Sequence, residues 1–342
     1  MSFSRRFLPL VGVLTLLPIQ FAYGQSPSFK DVSTKNPAYQ AVEYLKGQGI
    51  LGGYSDGTFK PDQKVSRSEA TKIITASALG ADTISSYKTT VFADVPATAW
   101  FLPYVEAARV ELKIIDGPPK TPNFFPSRSV KLAEFLKLLL LATKTDPNAY
   151  GEVQLPLSRD VTDASAWYYP YMRYAISSSV LQINADDTLL PDREVTRADV
   201  ANMMFRLAMY KAGRRTQALL SEVENELVNV MQFLADKNLP QAENASARAL
   251  LAAKGGYASR PNSPVAQGAL KTAEAFRSIV RGYKAGVNGQ LDETIRLAKE
   301  AWSLADQAKE KSSDLAPLSE KIQQIAATMS TQARETLSQP TK

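Results

Sequence analysis

Val65-Ser66-Arg67-Ser68-Glu69-Ala70-Thr71-Lys72-Ile73-Ile74 reads as the start of a helix. Ser66 suits the N-cap, where its hydroxyl accepts from a first-turn N–H, and Glu69, three residues on, reaches back to the N–H of Ser66. That pairing is a capping box ahead of an apolar run. Arg67 falls at the first helical position, where its side chain need not be buried. The stretch returns as Val195-Thr196-Arg197-Ala198-Asp199, followed by Val200, Met203 and Met204. A weaker copy is Val130-Lys131-Leu132-Ala133-Glu134, followed by Phe135, Leu138 and Leu139. The acidic residues are evenly spaced, 134 − 69 = 65 and 199 − 134 = 65, and a fixed period governs the architecture before any local reading does.

Other features recur in phase. Phe29-Lys30-Asp31-Val32, Phe92-Ala93-Asp94-Val95 and Arg159-Asp160-Val161 open three units, each followed by a helical stretch, a turn-rich loop and the capped helix. Each unit resembles an S-layer homology (SLH) repeat, whose pattern is an opening Phe-x-Asp-Val, a helix, a Gly-Tyr-x-Asp-Gly-Thr-Phe-x-Pro loop and a Thr-Arg-Ala-Glu helix start. The loop Gly53-Tyr54-Ser55-Asp56-Gly57-Thr58-Phe59-Lys60-Pro61 matches that pattern almost letter for letter. The resemblance covers 29–213, about half the chain, and divides it into repeats at 28–80, 91–143 and 159–213. It departs in three places: Asn36-Pro37-Ala38 stands where a Trp usually starts the first helix, Leu132 replaces the motif arginine, and Asp187 stands where Gly57 does. The resemblance implies three helical hairpins packed around a pseudo-threefold axis.

At 342 residues the chain has room for two or more domains, and 44% hydrophobic residues suit a soluble globular protein. Arg5 and Arg6, the apolar run from Phe7 to Leu17, and Ala22-Tyr23-Gly24 read as a signal peptide over 1–24, with export to the cell surface and no transmembrane anchor left after cleavage. Removing it changes the net charge from +6 to +6 − 2 = +4, too mild for a nucleic-acid partner. The absence of Cys excludes disulfides and thiolate chemistry, and the absence of His excludes Ser-His-Asp triads and His-ligated zinc.

Beyond Gly213 the composition shifts. Helical periodicity in five stretches predicts an antiparallel bundle over 214–338, with the second helix ending near Gly255-Gly256 and the boundary with the repeats at Ala212-Gly213 to Thr216. Its Ala-rich faces faintly resemble tetratricopeptide hairpins, though no clean period is present. The whole chain is therefore expected to be mainly α.

Glu69, Glu134 and Asp199 fit helix capping better than catalysis. Capping does not require Arg67 or Arg197, and a helix start with free N–H groups and a positive dipole end can hold an anion beside a guanidinium. Family members bind cell-wall polysaccharides, often bearing pyruvate ketals, between repeats. The resemblance thus implies a polysaccharide site drawn from Arg67, Arg197, Trp100, Trp167, Asp31, Asp94, Asp160 and Tyr54. On the residues alone, Trp100 and Trp167 read first as amphipathic anchors, and the three aspartates as ordering their own loops. The expectation is a non-catalytic cell-surface protein whose partner is a wall polysaccharide, with a protein partner for the helical region and no metal or cofactor. The alternatives are a wall-anchored glycan-acting enzyme, whose acids would lie after Gly213, and a structural subunit of the surface layer.

Overall fold

The computed structural model describes residues 26–338 and is mainly helical; the expected signal peptide lies outside them. Two compact units divide it, 27–261 and from Asn262 onward.

The first unit holds α1 (Tyr39–Gly47), α2 (Arg67–Ala78), α3 (Ala81–Ser85), α4 (Leu102–Val110), α5 (Leu132–Ala142), α6 (Tyr169–Ser177), α7 (Arg197–Lys211), α8 (Thr216–Ala235) and α9 (Leu239–Ser259). The capping boxes of α2 and α7 form as their sequences dictate. Glu69 N–H donates to Ser66 Oγ at 3.3 Å while Ser66 N–H donates to Glu69 Oε2 at 2.8 Å. Thr196 and Asp199 do the same at 3.2 and 2.8 Å. At α5 only half the box exists: Lys131 N–H donates to Glu134 at 3.0 Å, and an ammonium has no lone pair with which to return the bond.

The residues just before these helices tie the repeats together. Val65 N–H donates to Val195 O, Val195 N–H to Val130 O, and Val130 N–H to Val65 O, at 3.1, 3.1 and 3.0 Å. Each partner is offset by 65 residues or its complement, so the bonds close a ring. The β-bridges Lys64–Thr196, Ser66–Ser129 and Lys131–Glu194 follow the same cycle, and the three valines are fully buried at its centre. Helix packing is cyclic as well: α2 packs on α4, α5 on α6, and α7 on α1. The principal helix pairs thus form between successive repeats rather than as hairpins within each one. This is how units too small to bury a core alone share one.

In each opening segment an aspartate holds its own loop. Asp31 accepts from the N–H groups of Phe59 and Lys60 at 2.7 Å each, Asp94 from Phe124 and Phe125 at 2.7 Å each, and Asp160 from Leu189 and Leu190 at 2.9 and 2.8 Å. These loops bury Phe59, Phe124 and Leu189 at equivalent positions. Asp187 adopts the left-handed conformation, φ +61°, that Gly57 adopts at +80°, as a short polar side chain allows.

The division between units falls at Pro261–Asn262, not near Gly213. The reason is that α8 and α9 pair with each other and α9 also packs on α6. Arg248 of α9, almost fully buried, bonds Glu226 of α8 at 2.7 and 3.1 Å and reaches Asp187 of the third loop at 3.4 Å. Arg215 donates to Ser179 Oγ at 2.6 Å, and Ser179 Oγ to Glu222 at 2.8 Å. The expected helix stop at Gly255-Gly256 is also displaced, since α9 runs on to Ser259. Gly255 serves close approach instead: a Cβ there would collide with the carbonyl of Ser177 at the end of α6.

The second unit contains α10 (Pro264–Val287), α11 (Leu291–Lys311), a 3-10 turn at Ser313–Leu315 and α12 (Ala316–Ser338). Each helix packs on the other two, the closed arrangement of a bundle. Gly268 and Gly282 of α10 permit the approach, because a Cβ would press on Leu315 and Met329 respectively.

Candidate functional site

The first helical N–H groups, expected to be free for an anion, are already occupied. Arg67 N–H donates to Arg128 O, Leu132 N–H to Arg193 O and Arg197 N–H to Gln63 O, at 2.8, 2.8 and 2.9 Å. The next N–H in each helix (Ser68, Ala133, Ala198) donates to Pro126 O, Pro191 O and Pro61 O at 3.0, 3.0 and 2.9 Å. The carbonyls come from the neighbouring repeat and consume the orphan donors. Any anion held at these helix starts would therefore be held by side chains.

The two motif arginines take different roles. Arg197 lies over the Phe59 ring at 4.5 Å and near Tyr54 at 5.1 Å. Its Nε donates to Phe59 O and its Nη2 to Gly52 O, both at 2.7 Å. Arg67 lies over the equivalent Phe124 ring at 5.2 Å, but among the described residues its side chain makes no hydrogen bond or ion pair. At the third junction the corresponding positions carry Leu132 and Leu189, both buried.

Arg67 lines a cleft of about 330 Å³ together with Phe124, Phe125, Arg128, Glu134, Lys137 and Trp167, and with Ile114, Ile115 and Asp116. Arg128 grips Glu134 with two bonds at 3.0 and 2.9 Å. Burial raises the Glu134 pKa, but the Arg128 and Lys131 hydrogen bonds and the charges of Arg128 and Arg67 outweigh it, so the carboxyl titrates below its ordinary range. Burial lowers the pKa of Arg67 and the like charge of Arg128 adds to this, opposed by Glu134. With Arg67, Arg128 and Lys137 against Glu134 and Asp116, the lining has one more cation than anion.

Trp167 is 53% exposed and Trp100 54%, so neither is a core anchor. Lys137 of α5 sits over Trp167 at 5.7 Å, and Lys72 of α2 over Trp100 at 5.4 Å. At the α7–α1 junction, Asn202 and Pro37 occupy the positions of this lysine–indole pair. An exposed indole with a cation on it offers a flat apolar face beside positive charge, the surface on which a pyranose ring bearing a carboxylate can rest.

Of the residues expected at a site, Arg67 and Trp167 share the cleft. Trp100 lies on the α2–α4 junction outside its lining, and Tyr54 sits under Arg197 and Lys60, the latter at 4.1 Å. Asp31, Asp94 and Asp160 spend their carboxylates on backbone amides. Sequence reasoning missed Phe124, Phe125 and Lys137. The 65-residue offset between Lys72 and Lys137, matching that between Arg67 and Leu132, is the signal that marks the lysines.

Comparison with known proteins bears on this geometry. Residues 28–71 and 159–201 match the S-layer homology domain. The chain is 31% identical over 173 residues to a surface-layer 125 kDa protein of Lysinibacillus sphaericus, covering 49% of this chain and 14% of that protein. It is 28% identical over 193 residues to a cellulosome-anchoring protein of Acetivibrio thermocellus, covering 53% and 40%. It is also 28% identical over 203 residues to an uncharacterized cell wall amidase of Bacillus anthracis, covering 59% and 36%. The matched stretch thus spans well under half of each relative's length. The matched segments and the surface-layer relatives indicate a cell-surface protein, with residues 28–71 and 159–201 similar to the S-layer homology domain. No described helix is long and apolar enough to cross a membrane.

Proposed function

We propose that the chain is a non-catalytic wall-binding protein. Its three SLH repeats, arranged about a pseudo-threefold axis, grip an anionic, pyruvylated wall polysaccharide, and α10–α12 present a surface to a protein partner. The observation that carries this reading is Arg67: a partly buried guanidinium that, among the described residues, makes no hydrogen bond or ion pair, facing a cleft beside the exposed indole of Trp167. A charge left unpaired in a partly desolvated site is costly, and a carboxylate would relieve that cost with two charge-assisted bonds. The names of the surface-layer and cellulosome-anchoring relatives support attachment as the role. The lack of any His removes the usual ligands of a zinc-dependent wall amidase or peptidase, whereas a glycan hydrolase would need only a carboxylate pair.

Co-sedimentation with purified sacculi, before and after chemical removal of their polysaccharide, tests the reading. Binding should be lost with the polysaccharide. Binding that survives its removal contradicts the proposed ligand, and release of soluble sugar or peptide from the sacculi contradicts the non-catalytic role.

A further inference from the structure

Of the three tryptophans, Trp100 and Trp167 each carry a lysine over the indole. Trp302, in the second unit, is 47% exposed, and among the described residues no ring or cation lies against it. It sits on α11 one residue past the midpoint of Leu291–Lys311. Ile295, Lys299, Trp302, Asp306 and Lys309 follow one another at spacings of four, three, four and three, so they share one face of the helix. Two contacts set the register of α12 beside that face. Gln323 donates to Asp306 at 3.5 Å, and Leu337 lines a hollow with Leu291 at the α10–α11 turn. Antiparallel helices in that register bring Ala327 level with Trp302 and Arg334 level with Ile295. Ala327 is exposed and leaves room beside the indole. The result is an apolar strip along the α11–α12 groove made of Leu291, Ile295, Trp302, Ala327 and Leu337.

The charges flanking the strip are complementary to themselves. Lys299 lies three residues before Trp302 and Asp306 four after it. Against a second α11 running antiparallel about Trp302, each Lys299 meets Asp306 of the second copy, and each Arg334 meets Glu310 of the second copy. A parallel pairing would set Lys299 on Lys299 and Asp306 on Asp306. Among the described residues Lys299, Arg334 and Glu310 form no ion pair. Asp306 uses Oδ1 for both Lys309 and Gln323, which leaves Oδ2 available.

We infer that the partner of α10–α12 is a second copy of this chain, paired antiparallel about Trp302 across the α11–α12 groove. This specifies the protein partner proposed above. The indole of each copy lies over Ala327 of the other, and the same patch serves both sides, so the assembly closes at two. On the wall-binding reading, such a pair attaches through two repeat regions, and its hold on the wall gains by avidity.

The test is sedimentation velocity of the full chain over a concentration series, with melting curves beside it. The variants are Trp302→Ala, Lys299→Asp, Asp306→Lys and the double reversal K299D/D306K. The parent should pass from monomer to dimer as concentration rises. Trp302→Ala should weaken the dimer by about 30-fold or more, as truncation of a central aromatic anchor does, and melt as the dilute parent does. Each single reversal sets like charges together and should weaken the dimer by about tenfold. The double reversal should restore it. A parent that stays monomeric, an assembly larger than two, a dimer indifferent to Trp302→Ala, or a double reversal no tighter than the single ones overturns the inference. A monomeric parent that still co-sediments with sacculi leaves the wall-binding reading intact and gives the α11–α12 groove to a different protein. A parent that dimerises as described yet ignores sacculi loses the wall-binding reading alone.

Discussion

At the scale of single residues, the same side chain does different work according to what the next repeat places against it. Arg67 and Arg197 look alike in sequence because their acceptors, or the lack of them, lie far away in the chain. The aspartates were easier to read: Asp31, Asp94 and Asp160 precede their loops at constant spacing, and both oxygens of each are used on those loops. Replacing Asp160 by Ala removes the acceptor for two loop amides and should cost about 1–3 kcal/mol, read as a lowered denaturant midpoint. Asp160 carries a depressed pKa because hydrogen bonds from Ser158, Leu189 and Leu190 outweigh the opposing effect of burial. Asp199 is depressed likewise, its burial outweighed by Arg193 and Thr196. A carboxyl whose folded pKa lies below its unfolded value stabilises the fold above the unfolded pKa, near about 4, and loses that contribution as the pH falls through the folded value. Thermal melts should therefore hold steady from neutrality to about pH 5 and fall below about pH 4. Asp199→Asn should flatten that decline, and an unchanged slope would remove Asp199 from the account. Trp167→Ala, at a half-exposed position, should leave the melting temperature within a degree or two while weakening polysaccharide binding. A large loss of stability instead would restore the anchor reading.

At the scale of elements, helix starts were legible and helix ends and partners were not. A capping box is written in four consecutive residues, so α2 and α7 begin where the sequence says. Partners are set by packing across repeats, which no local pattern records, so α2 meets α4 and α7 meets α1. Gly255-Gly256 resembles a helix stop because glycine usually ends helices. Here Gly255 lies inside α9, against the Ser177 carbonyl. Gly255→Ala should accordingly destabilise the chain despite the higher helix propensity of alanine. The clash is with backbone, so a cost of roughly 2–4 kcal/mol is expected. Hydrogen exchange should show α8 and α9 losing protection while α2 and α5 keep theirs. A stabilised variant would mean that α9 stands farther from α6 than described.

At the scale of the molecule, the 65-residue period is legible in the sequence, and the bonds among Val65, Val130 and Val195 close on themselves at that offset. The period could not foretell where the first unit ends. The shift in composition after Gly213 is real, yet α8 and α9 belong with the repeats through Arg215, Arg248 and Gly255, whose partners are Ser179, Asp187 and Ser177. Limited proteolysis should cut first between Arg260 and Ser263, leaving a stable fragment of about 27–261. Early cleavage at 212–216 that releases a stable piece from 214 onward would favour the boundary suggested by composition.

On the wall-binding proposal, one junction, the Arg67 cleft, receives the wall polymer. Hydrogen–deuterium exchange of the full chain with and without purified wall polysaccharide tests it most directly. Added protection is predicted in the second loop, 114–126, and around Trp167, with the first loop, 52–60, unchanged beneath Arg197. Protection that appears at 52–60 and is missing from 114–126 would contradict it.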